Sequence, residues 1–166
     1  MSTIKSQANA LKTALEGSLD GTNVFIASDF IHAWEMLKSS PAAGSVAILF
    51  EEEKARVNFE GGDITGRVDR FFDLVVSRGR GLTLTRSDNL TQGVSGGVPL
   101  FEMAEQLRDV VRLMRFDPQT DEVPNYIGMS RWGKEEGINM DAFKVSIWIG
   151  SQLALPSATS LTNQPI

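Results

Sequence analysis

Between Val98 and Arg115, apolar residues recur at Leu100, Met103, Ala104, Leu107, Val110, Val111 and Met114. That three-and-four spacing predicts a helix with one buried stripe. Glu102, Glu105, Arg108, Asp109 and Arg112 fall on its other face, and Pro99 stands near its first turn, where proline is tolerated. A second helix is predicted over 3–19 from Ile4, Ala8, Leu11, Leu15 and Leu19, with Thr3 or Ser2 as cap and Gly17 and Asp20-Gly21 as the stop. A short helix over 29–38 would carry Phe30, Ile31, Trp34 and Leu37 inward.

Strands alternate with these helices. Residues 23–28 form a short apolar candidate, and 45–52 place Val46, Ile48 and Phe50 on one face before the charged run Glu51 to Glu53. Residues 55–59 add a short strand, ended by Gly61-Gly62. Over 67–77, Val68, Phe72, Leu74 and Val76 alternate with Arg67, Asp69, Asp73 and Ser77. Arg70 interrupts that apolar face, so this end of the strand is expected to be solvated or paired. Phe71 and Val75 lie on the nominally outer face, where either a partner subunit or the N-terminal helix would cover them. A weaker strand is expected at 126–131. A strong one over 143–150 sets Phe143, Val145, Ile147 and Ile149 against Lys144, Ser146 and Trp148. Residues 39–44 and 78–97 read as loops, and Asp117-Pro118 breaks the chain again. The long helix falls between two sets of strands, so it must cover a sheet drawn from both halves of the chain. The fold class is α+β.

The 166 residues suit one well-buried domain, and no linker divides them. The chain has no cysteine, which excludes disulfides, thiolate metal sites and cysteine nucleophiles. A net charge of −5 argues against wrapping nucleic acid, which needs a basic footprint. No apolar run approaches a membrane span, and the first residues lack a secretory pattern; a soluble protein made in the cytoplasm is expected.

Candidate chemistry is sparse. His32 is the one histidine, so zinc and Ser-His-Asp schemes lack a central group. In the run Glu51 to Glu53, strand alternation would let Glu51 and Glu53 alone converge. Arg78-Gly-Arg-Gly81 lacks the phosphate-loop pattern. Arg78, Arg80 and Arg86 instead suggest a loop that docks on an acidic partner. Asp117, Asp121 and Glu122 miss the spacing of a calcium loop. Trp34, Trp132 and Trp148 read as core or interface anchors. No catalytic, cofactor-binding or metal-binding residue is expected, and the chain does not read as an enzyme.

The element order, with Ser-Val-Ala-Ile-Leu-Phe, then Arg67–Ser77, a long loop, Glu-Met-Ala-Glu-Gln-Leu-Arg-Asp-Val-Val, and finally Phe-Lys-Val-Ser-Ile-Trp-Ile, resembles the tail terminators of long-tailed bacteriophages. These are also called tail completion or minor tail protein U-like proteins, and the likeness runs over about residues 4–155. It implies a mostly antiparallel sheet with an N-terminal helix and one long amphipathic helix packed on it. The domain would span 1–155, followed by a polar C-terminal tail, 156–166, outside the family pattern. The resemblance further implies a homo-oligomeric, hexameric ring at the head–tail junction of the virion, assembled in the host cytoplasm. Such a ring caps the tail tube, stops its polymerisation, meets the tube protein and the head-side connector, and lets DNA pass without specific binding. Phe71, Val75, Arg78, Arg80 and Arg86 are the expected interface residues. Two other readings stay open: another phage connector or tail-tube-like subunit, and a small cytoplasmic ligand-binding or regulatory domain.

Overall fold

The computed structural model describes residues 3–41, 43–57, 63–78, 85–93, 98–116 and 122–153, with the backbone alone at 63–65 and 86. The expected turn at Gly61-Gly62, the break at Asp117-Pro118 and the tail 156–166 lie outside the described residues. In chain order the elements are α1 (Ile4–Ser18), β1 (Asn23–Ala27), α2 (Phe30–Leu37), β2 (Ser45–Val57), β3 (Asp63–Ser77), α3 (Arg86–Thr91), α4 (Leu100–Leu113), β4 (Pro124–Arg131) and β5 (Ala142–Gln152).

The helix starts are set by side chains. Thr3 and Ser6 form a reciprocal capping box at α1, each hydroxyl accepting from the other's backbone N–H, at 2.8 and 3.0 Å. Asp29 caps α2 by accepting from the His32 N–H at 2.8 Å.

Among the described residues the strands form one five-stranded sheet in the order β1-β2-β3-β5-β4. β1 and β2 are parallel and every other pair is antiparallel. A parallel pair needs a crossover, and α2 supplies it, so α2 lies on one face of the sheet. The other face carries α1 over β1 and β2, and α4 over β3, β5 and β4.

The larger core lies under α1 and α4. Leu11 and Leu15 meet Val46, Ile48 and Leu74, while Leu100, Leu107 and Val111 join Val145, Ile147 and Ile149. All eleven are buried to 0% exposure, each worth about 1.5–3 kcal/mol of apolar transfer. The expected stripe of α4 is therefore the observed one, with Val110 alone only half-buried. α4 comes down on the sheet beside Gly44, which takes φ +94°; a Cβ there would collide with Met103 of α4.

A second core lies on the opposite face, where Ala33 and Leu37 of α2 cover Ala47, Leu49, Val75 and Trp132. The outer face of β3 is thus covered by α2, not by the N-terminal helix. The strands expected at 45–52 and 55–59 are one continuous β2, to Val57. The segment read as a loop over 78–97 contains α3, capped by Thr85 accepting from the Asp88 N–H at 3.1 Å. Six residues are too few to print a helical period, so α3 was invisible to pattern.

Candidate interaction surfaces

β2 outruns its parallel neighbour. β1 pairs only with Ser45–Leu49, so from Phe50 onward β2 has β3 alone beside it among the described residues. Apolar side chains around this sheet edge stay open to solvent. Ile4 is 37% exposed, Ile26 40% and Phe50 39%. They border an apolar groove of about 530 Å³ between the first turns of α1 and this sheet edge, floored by Ala8 and Ile48, with Lys5 as the charged residue in its lining. Phe50 stands edge-on against Phe72, ring centroids 5.6 Å apart, which props it at the rim.

The opposite sheet edge carries a different patch. β4 pairs with β5 alone, and a bulge between Tyr126 and Gly128 leaves Ile127 as the extra residue. Tyr126 is 37% exposed and Ile127 53%. Beside them the polar face of α4 presents Arg108, whose Nε donates to Asp109 Oδ1 at 2.9 Å. That bond raises the Arg108 pKa and lowers that of Asp109.

The residues expected at an interface behave differently. Val75 is fully buried beneath α2 and Trp132, so it belongs to the core and not to a contact surface. Phe71 is half-buried on the same sheet face beyond α2, with Lys54 Nζ 5.3 Å from its ring centroid. Arg78 is 4% exposed. Its guanidinium donates to Asn89 Oδ1 and the Asn89 carbonyl, each at 2.8 Å, to the Gln92 carbonyl at 2.7 Å and to the Val98 carbonyl. Burial lowers its pKa. Arg78 is therefore an internal clamp that holds α3 and the approach to α4 against the end of β3, not a docking residue. The backbone of Arg86 opens α3, and Arg80 lies outside the described residues. Of these three, Arg78 alone has a described side chain.

Glu51 and Glu53 do not converge. A register shift between Phe50 and Glu52 makes Glu51 the extra residue of a bulge and reverses the alternation that the sequence implied. Glu53 accepts from Arg70 on the α1 face. Glu51 turns to the other face and meets Asp73, at a polar groove of about 720 Å³ bounded by Asp29, Arg131, Trp132, Lys134 and Lys144. Partial burial raises the Glu51 pKa, the Asp73 carboxylate raises it further, and Lys144 opposes both. Asp73 is itself held by the Ser146 hydroxyl at 2.7 Å and by Lys144 Nζ at 3.9 Å. Glu51 therefore keeps its proton to higher pH than an ordinary glutamate. No group of three or more His, Cys, Asp or Glu suited to a metal ion occurs among the described residues.

The remaining candidates are structural. Exposed His32 takes the Ser28 N–H on Nδ1 at 3.0 Å. Glu122 accepts from the Ser151 hydroxyl at 3.0 Å, while Asp117 and Asp121 lie outside the described residues. Trp132 is core, its ring tilted against that of Phe30 with centroids 4.5 Å apart, whereas Trp34 and Trp148 are half-buried under Lys38 and Arg56.

The chain matches no protein-family model and no curated protein. Its surfaces carry the functional reading. Sequence pattern missed Ile26, Phe50, Tyr126 and Ile127, because alternation marks them as ordinary strand positions. The available signal was the mismatch in strand length, a short 23–28 against a long run from 45, which leaves one edge uncovered.

Proposed function

We propose that this protein is the tail-terminator subunit of a long-tailed bacteriophage, assembling head to tail into a hexameric ring that caps the tail tube and joins it to the head-side connector. The observation that carries the reading is the pair of unlike apolar patches at opposite edges of one sheet: Ile4, Ile26 and Phe50 by β1 and β2, Tyr126 and Ile127 on β4. A ring needs two different surfaces on each subunit, one complementary to the other, whereas a two-fold dimer uses one surface twice. Isolated exposed apolar residues are ordinary, but two clusters on strand edges offer contact area and open backbone hydrogen-bonding groups together. The net charge of −5 supports a lumen that repels DNA phosphates, so that the genome slides without sticking. The α+β build with two helices side by side on a mostly antiparallel sheet agrees with the fold expected of that family.

Negative-stain imaging of the purified full chain tests the reading. Closed rings with six-fold averages support it; open tubes favour a tube-like subunit instead. A second reading, a small ligand-binding or regulatory domain, draws on the polar groove around Glu51 and Asp73. Monodisperse single subunits in the images would favour it.

A further inference from the structure

The described chain leaves the sheet at Leu153, whose N–H donates to the Gly66 carbonyl at the far end of β3. The 13 residues that follow, 154–166, carry no charged side chain and place Leu155, Leu161 and Ile166 at intervals among Ser, Thr, Asn, Gln and Pro. Such a segment cannot build a core alone. It matches in chemistry the groove bordered by Ile4, Ile26 and Phe50, where Lys5 is the charged lining residue. We propose that residues 154–166 of a neighbouring copy dock in this groove and clasp adjacent subunits of the ring.

The choice of a neighbour's segment over the chain's own rests on the ring reading and on the path. Within one subunit, α1 stands between Leu153 and the groove. Gln7 of α1 accepts from Arg70 Nη1 at 3.1 Å, and Arg70 also donates to Ser151 Oγ at 3.3 Å, so that flank of the helix is closed onto β3 and β5. Lys5, Ala8 and Asn9, from the opposite flank, line the groove. In a ring that joins the β4 edge to the β1–β2 edge, β5 lies one strand from the seam, and the neighbour's groove lies at the seam. Thirteen residues extend up to about 43 Å, several strand spacings, so reach is sufficient.

The test uses the absence of cysteine. The Ile26→Cys variant of the full chain takes a benzophenone label at one defined place, and Asn9→Cys provides a second label site on the rim should the first fail to fold. Labelled protein is unfolded in urea with an equal amount of 15N-labelled chain, the two are refolded together and irradiated, and the cross-linked peptides are read by mass spectrometry. The proposal expects attachment within 154–166, with light-to-heavy pairs making up about half of them by random mixing. Adding Leu161→Asp should reduce these cross-links at least about tenfold, at roughly 1.4 kcal/mol per decade, without changing the melting temperature. Attachment within 154–166 solely between peptides of one isotope, or attachment elsewhere, overturns the proposal. The mass of the unaltered, unlabelled chain separates the two ideas: rings with cross-links elsewhere end the clasp alone, and single subunits end both.

Discussion

Arg70 Nε donates to Glu53 Oε2 at 2.7 Å while Arg70 itself is only 3% exposed. With Gln7 and Ser151 on the same guanidinium, the pair ties α1, β2, β3 and β5 at one corner of the sheet. The cation that interrupts the apolar face of β3 is thus satisfied inside the fold. Glu53→Ala removes one charge-assisted hydrogen bond from the buried guanidinium and should cost about 1–3 kcal/mol in urea unfolding. A single substitution that leaves the midpoint unchanged would show the pair to be idle.

Arg78 and Val75 should act on stability rather than on assembly. Arg78→Met strips hydrogen bonds from the Asn89, Gln92 and Val98 carbonyls and should cost about 2–4 kcal/mol. Amide exchange should rise first in 85–93. Val75→Asp places a charge under α2 and should abolish the cooperative melt followed by circular dichroism. A folded Val75→Asp domain with altered mass would restore this residue to an interface.

Gly44 tests the seating of α4. Its φ of +94° is left-handed, and a methyl group meets Met103, so Gly44→Ala should cost about 1–3 kcal/mol in thermal unfolding.

The Glu51–Asp73 contact sets a pH dependence. The folded pKa of Glu51 is raised, so its contribution is fully present below the unfolded value and is lost as pH rises through the folded one. Glu51→Gln should therefore raise the melting temperature at pH 7.5 and have little effect at pH 3.5. Equal shifts at both pH values would contradict the assigned cause.

How much of this was legible in the sequence depended on length and on neighbours. The α4 stripe and the alternation of Val145, Ile147 and Ile149 were readable because each repeats its period several times. The bulge at Glu51 was not, since one inserted residue reverses side-chain facing without altering the local pattern. Nor was the cover over Val75: alternation shows that a face is apolar, but not which helix lies on it. Arg78 misled for a related reason. A loop arginine looks solvent-bound in sequence, whereas here the carbonyls of Asn89, Gln92 and Val98 surround it.

Two unlike edge patches make a ring only if each needs the other, and light scattering after size exclusion measures that directly. Unaltered protein should have six chain masses, while Ile26→Asp and Ile127→Asp should each run as single subunits. Their equimolar mixture retains one intact pair of patches and should stop at two chain masses. Single variants that keep the full mass, or an unaltered chain that remains single at every concentration, would contradict the head-to-tail account.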